Sequence, residues 1–511
     1  PELPVRLRCT RGLQLLVLPR RQRRDLEWRL QRDGWIARRK RQHVGGRRIG
    51  FGHERLSFER VPSAAGAAFG QRPLQYALLD SRNGTVEIRN RHNFTNASVY
   101  NTTWTVTADD EVVETGTIEL DIEPMQTKAF TIPYSKPSAS PGKEFRLTIS
   151  TTLAKDEVWA KKGHEVAWEQ FEMPQWNTPA PAPEKPSGSV SVRNADGRIT
   201  ITGQGFSYAF DAATGNLLEM EANGQKLLVQ PLKLNVWRAP VANETDGWNA
   251  YSSRAAMSNN KGGNGAIGHS NMLASMYYSA GLDKVGFVPV SVNVRTVDGS
   301  AYIDVRELAI FGAQKEQQLD AYIVGRASTG IESVFTYRID ADGTITVNHL
   351  VNPQGEMPAW LPRIGVCMSI DKSLANVEWY GRGPQASYPD RKSGYRIGIY
   401  STTVSDMYEP YLIPQDYGLR TDNRWVRFTN ADGLGLQFSV NEPFAFNAYP
   451  YTTDNLTKSV YQYQLEESDD ITLNLDYATS GVGCTSRGIF DAYRAYPTGY
   501  SRTITIRLLG R

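Results

Sequence analysis

Side chains able to do chemistry crowd most closely in the stretch WYGRGPQASYPDRKSGYR, Trp379 to Arg396. Trp379, Tyr380 and Tyr388 offer aromatic faces of the kind that pack on the apolar face of a pyranose. Arg382, Arg391 and Arg396 supply donors for hydroxyl groups, or partners that lock against Asp390. The competing reading is a structural loop packed on a sandwich, its tight path fixed by Gly381, Gly383 and Pro384. Neither reading contains the nucleophile or acid that a reaction needs, and the residues alone leave both open.

Other chemistry-bearing patterns are weaker. Six histidines occur in the chain, and His43 and His53 fall in an atypical N-terminal segment. His164-Glu165 begins like a zinc-protease HExxH, but Trp168 stands at the second histidine position and removes the i, i+4 ligand pair. No G-x-S-x-G elbow is present to anchor a hydrolase triad. Gly262, Gly263 and Gly265 do not follow a strand and open a helix, as a phosphate loop requires. The carboxylates from Glu466 to Asp470 sit between two strand-like runs and read as a solvated turn. Glu165, Glu169 and Glu172 read as the wet face of a sandwich strand. Cys9, Cys367 and Cys484 are odd in number and far apart, which argues against a disulfide framework and a CxxC metal site.

The elements that must position these residues are almost all strands. The chain has 511 residues, enough for two or three domains, and its 40% apolar and 22% charged composition is that of globular proteins. No run of about eighteen apolar residues exists, so no membrane span is expected. "GLQLLVLP" is too short an apolar run for a signal peptide and lacks a cleavage site. Residues 1–60 hold sixteen arginines and one lysine against six acids, a surplus of eleven positive charges. The whole chain carries +3, so the remainder carries −8. A nucleic-acid arm would explain the arginines, yet no aromatic interleaving or helix-turn-helix pattern accompanies them. Residues 1–74 read as a disordered or frame-shifted segment, and a start at Pro1 reads as a fragment or processed product.

From about Gln75 to Pro174 apolar and polar residues alternate between turn signals, the pattern of an antiparallel sandwich. "PQWNTPAPAPEKPSG" carries five prolines in fifteen residues and marks a semi-rigid linker over 175–188. Period-two patterning then resumes to the end of the chain, with Asp342-Gly343 and Asp432-Gly433 as turn chemistry. So long a run of sheet texture demands a large two-layer sandwich. Only the glycine-rich stretch from Arg254 to Gly286 interrupts it, as a long loop with a short helix.

The segment VEWYGRGPQASYPDRKSGYRIGIYSTTVSDMYEPYLIPQDYGLRTDNRWVRFTNADGLGL resembles the C-terminal domain of bacterial β-galactosidases of glycoside hydrolase family 2. "FSYAFDAATGNLLEMEANGQKLL", "NVWRAP" and "LNLDYATSGVGCTSRG" resemble the two ends of that domain. "VEIRNRHNFTN", "GKEFRLTIS" and "WAKKGHEVAWEQFEMP" are similar to the immunoglobulin-like domain that precedes it. The resemblance covers residues 75–511. It implies an all-β chain: an immunoglobulin-like sandwich over 75–174, then a galactose-mutarotase-like β-supersandwich over 189–511, with no (β/α)8 barrel.

In that family a barrel removes terminal β-galactosyl groups with retention, using two glutamates about 5 Å apart. The catalytic pair, with the Mg2+ and Na+ sites, is therefore expected outside this chain, which supplies no catalytic residue and no metal ligand. The implied role is to wall the sugar cleft and support assembly, with β-galactosides as substrate through the barrel. The expected setting is a cytoplasmic homo-oligomer without nucleic-acid or membrane partners. Some family members place a tryptophan in the last glycine-rich loop, whereas this loop, Gly481 to Gly488, has none. The residues left as substrate-edge candidates are Cys484, Ser486, Arg487, Trp379 and Arg382. Val241, Ala242, Asn243 and Glu244 depart from the usual residues after "NVWRAP", and Asp416 and Tyr417 replace a Glu-Asn pair. The alternative function is a stand-alone carbohydrate-binding or aldose-epimerase-like module, for which His269 and His349 are the available acids.

Overall fold

The alternation that begins near Gln75 folds into two antiparallel sheets packed face to face. A computed structural model describes residues 6–8, 14–16, 71–138, 140–181, 186–245, 273–312, 329–483 and 489–510. Most of the arginine-rich segment, His269, the glycines at 262, 263 and 265, and Cys484, Ser486 and Arg487 lie outside these described residues.

In the first sandwich, strands Leu74–Asp80, Thr85–Asn90 and Thr127–Thr131 form one sheet. Glu111–Ile118, Tyr100–Ala108, Phe145–Leu153 and Glu165–Glu172 form the other, in that order. Every second residue turns inward, so Val86, Ile88, Trp104, Val106, Leu147 and Ile149 make a common buried core. This is an immunoglobulin-like sandwich.

After the described part of the proline-rich stretch, one sheet of sixteen antiparallel strands takes up the rest of the described chain. Hairpins run from Ser191–Ala195 to Gln225–Asn235, and the path continues through Arg363–Asp371, Asp470–Thr479, Gly435–Tyr449 and Tyr500–Leu509. It ends through Ile345–Gln354, Gly330–Ile339 and Ser300–Phe311 at Val285–Val297. The sheet folds over on itself. Phe210 packs edge-on against Tyr337 at 5.2 Å, and the Tyr208 hydroxyl donates to Gly343 O, although their strands are far apart along the path. Asp340 to Thr344 closes the hairpin between Gly330–Ile339 and Ile345–Gln354, with Gly343 at φ 74°. The interior is one continuous apolar cluster including Phe335, Val347, Phe446, Leu473 and Leu475. The short helix Leu273–Ser279 lies within the glycine-rich interruption.

Three of the sixteen strands, Asn376–Gly383, Arg396–Thr403 and Arg420–Thr429, lie off this path and form a flap joined to it through Gly435–Tyr449. The immunoglobulin-like domain docks on this flap. Gln170 imitates a neighbouring strand: its carboxamide accepts from Ile397 N at 2.9 Å and donates to Ile397 O at 3.0 Å. The glutamates expected on a wet face serve this contact and the sandwich's own entry. Glu165 binds Arg396, Glu169 binds Arg72, and Glu172 stands 3.9 Å from Arg424. Their strand is the edge of its sheet, and its outer side is partly covered by the flap, with Glu172 still largely exposed to solvent.

Candidate functional site

The loop Gly481 to Gly488 follows from Asp470–Thr479; two groups of polar side chains converge on its described base, and a third lies behind them, linked through Tyr388. The first comes from the opening stretch. Arg391 N donates to Tyr388 O at 2.8 Å, closing a turn that presents Asp390. The Asp390 carboxylate then accepts from Val482 N at 3.0 Å and Gly483 N at 2.7 Å. A Cβ placed on Gly481 would stand 2.3 Å from Asp390 Cγ, so only glycine permits this approach. Asn243 fastens the other side by donating to Val482 O and Gly483 O, each at 3.1 Å.

The second group is built on Arg238, which is completely buried. It donates to Glu244 Oε1 at 2.7 Å, Ser480 O at 2.7 Å and Gly481 O at 3.1 Å. Burial alone pulls the guanidinium down, but Glu244 and Asp416 outweigh it and hold Arg238 above its ordinary pKa. Glu244 also accepts from Val241 N and from the Tyr277 hydroxyl, which in turn accepts from Trp360 Nε1. Asn243 and Glu244, departures from the usual family residues, are therefore both used at the loop base.

The third group centres on Arg363. Its guanidinium meets Asp416 at 3.0 Å and Asp476 at 3.4 Å, with all three side chains fully buried. Asp416 accepts from the Tyr388 hydroxyl at 2.9 Å and from Asn447 Nδ2 at 3.0 Å. Asn474 continues the network to Asn447 and to the Tyr449 hydroxyl. Burial pushes the Asp476 carboxyl up to about 7 against the pull of Arg363, and Asp416 adds to the rise. Such a pKa would suit a general acid, yet the group has no access to solvent. Every carboxylate in the second and third groups faces a guanidinium, and the arrangement positions backbone rather than reacting groups.

Trp379 is not a sugar platform. It is fully buried, packs against Tyr400 and Phe446, and donates its indole N–H to Arg382 O at 3.0 Å. Arg382 pairs with Asp422 and donates to Tyr395 O at 2.7 Å. The arginines of the stretch do not lock against Asp390: Arg396 reaches Glu165, and Arg391 lies over the Tyr388 ring at 5.1 Å. His349 does not suit an epimerase acid. It is buried between Ser333 and Tyr477, its ring stacks on Phe335 at 3.9 Å, and burial pulls its pKa down to about 3.

Arg238, Arg363, Asn447, Asn474 and Asp476 were not singled out by residue pattern. The available signal was position: Asn474 and Asp476 alternate with Leu473 and Leu475 in a strand whose two faces are both buried.

Fold and site together define a two-domain all-β module with a network of buried charges beside one loop. Residues 202–506 match the β-galactosidase small chain family, and residues 86–174 match β-galactosidase domain 4. The chain belongs to the β-galactosidase small chain family and corresponds to the C-terminal region of a β-galactosidase. The β-galactosidase of Priestia megaterium is 27% identical over 412 residues, covering 80% of this chain and 36% of the relative. That of Pseudoalteromonas haloplanktis is 26% identical over 444 residues, covering 83% and 38%. The chain thus spans little more than a third of these curated relatives. A solved galactose 1-epimerase from Lactobacillus acidophilus overlaps 64% of this chain and all of its own, at 11% identity and a TM-score of 0.32, too little to bear on function. No helix among the described residues is long and apolar enough to cross a membrane.

Proposed function

We propose that this chain is the non-catalytic C-terminal part of a retaining β-galactosidase, which hydrolyses terminal non-reducing β-D-galactose residues. The supersandwich walls one side of the sugar cleft through the Gly481 to Gly488 loop and supports assembly of a cytoplasmic homo-oligomer. The observation that supports this reading is the convergence of Asp390, Asn243 and Arg238 on Ser480 to Gly483. Two separate parts of the chain, the Arg238–Asn243 stretch and the turn at Asp390, fix the base of one loop, as a wall that must keep its place beside a substrate requires.

The two catalytic glutamates belong on a barrel outside this chain. The Mg2+ and Na+ ions belong there too, because the buried acids Glu244, Asp416 and Asp476 face guanidinium groups, a setting unfit for a cation. The purified chain is expected not to cleave a chromogenic β-galactoside. Turnover that disappears when a carboxylate within residues 75–511 is replaced would overturn the proposal.

A further inference from the structure

The flap has two ends. At Gly383 the Asn376–Gly383 strand leads into Tyr388 and Asp390 at the loop base. Its other end lies about 23 Å away at strand spacing and opens into a groove of about 590 Å3. The groove is open and shallow, a surface site rather than an enclosed cavity.

Register decides what lines the groove. Glu378 stands directly opposite Ser401 on one neighbouring strand and Arg427 on the other. The three side chains therefore project from one face in a row, about 4.8 Å apart from strand to strand. Arg427 donates to Glu378 Oε2 at 2.9 Å and to Gln437 Oε1 at 2.8 Å, and its guanidinium lies over the Trp425 ring at 4.3 Å. Held from three sides, it is preorganised, and these bonds use two of its five N–H donors. Thr429, two residues beyond Arg427 on the same face, adds a hydroxyl and Leu509 adds apolar surface, whereas Val377 and Thr402 pair on the opposite face, with Val377 buried in the core. The next row, Tyr380 and Trp425, is where the immunoglobulin-like domain covers the flap, since the Tyr380 hydroxyl accepts from Arg146. The groove begins where that cover ends.

The lining has one carboxylate and one guanidinium in contact, so it carries no net charge and does not favour an anion. Donors and acceptors alternate along it beside the apolar Leu509, which suits a ligand that presents many hydroxyl groups at once. From this geometry we infer that the groove is a second saccharide site, separate from the loop base, taking a neutral oligosaccharide. It acts by holding a sugar chain rather than by reacting with it.

Calorimetry and saturation-transfer NMR on the full chain, with lactose, a β-1,4-linked galacto-oligosaccharide and galacturonate as probes, test this. The expected result is saturable binding of a neutral probe, with galacturonate weaker. Arg427→Met should weaken it about tenfold, the loss of about one charge-assisted hydrogen bond. Asp390→Asn, at the far end of the flap, should leave it unchanged. The Arg427–Glu378 pair is only partly buried, so its removal should cost little stability. If Arg427→Met nevertheless misfolds, Ser401→Ala and Thr429→Val together provide the same test. Absence of saturable binding by the neutral probes would overturn the inference. So would tighter binding of galacturonate, or binding that survives the groove variants and is lost in Asp390→Asn.

Discussion

Asp476 has the most unusual environment of any acid at the loop base. Its folded-state pKa of about 7 lies above its ordinary value of 3.8, chiefly through burial, with Arg363, Asp416 and Arg238 the charges that act on it. A carboxyl raised in this way contributes its full stability below its unfolded pKa and loses it as pH rises through about 7. Stability of the parent chain should therefore fall between about pH 4 and pH 7, and Asp476→Asn should flatten that part of the profile. Urea unfolding at a series of pH values checks this, and equal slopes in parent and variant would contradict it. A second residue prediction concerns Gly481. The Cβ of Gly481→Ala meets the Asp390 carboxylate, which must shift and loosen its hold on Val482 and Gly483. The variant should lose about 1–3 kcal/mol of stability, the usual cost of overpacking, measurable by the same unfolding experiment. At this scale the sequence was hard to read. A strand such as Asp470–Thr479 alternates polar and apolar residues, and alternation ordinarily means one wet face. Here the polar face is buried under Arg363 and Asn447. Composition cannot tell a wet polar face from a buried network, because the partners come from strands far away in the chain.

Elements were more legible than residues, because strand periodicity is local and docking is not. The Asp-Gly turns and the alternating runs pointed directly to hairpins, since a positive φ and a two-residue period leave local marks. What pattern could not reveal is that Gln170 and Glu165 face a second domain. The two bonds of Gln170 to Ile397 act as a surrogate strand at the edge of the flap. Gln170→Ala should expose that edge and cost about 1–2 kcal/mol for two hydrogen bonds that are not fully buried. Hydrogen exchange at the Ile397 amide should quicken while exchange inside the main sheet, for example at Leu473, stays unchanged. Unaltered protection at Ile397 would show that the docking does not depend on this side chain.

For the whole molecule, family membership joins two observations that neither domain explains alone. The chain corresponds to about a third of its curated relatives, and its acids at the loop base are held in buried ion pairs. Such rigidity is what the proposed wall beside a barrel's active site would need. The opening stretch shows how the two scales differ. Trp379 to Arg396 marked the family, but its Trp379 is buried, its Arg382 pairs with Asp422, and its Asp390 holds the next loop. The most direct measurement mixes the purified chain with a separately expressed β-galactosidase truncated before its domain 4, and follows chromogenic β-galactoside hydrolysis. The account predicts turnover that neither component shows alone, reduced when the chain carries Asp390→Asn. Turnover by this chain without the barrel, or a mixture no more active than the barrel portion by itself, would contradict it.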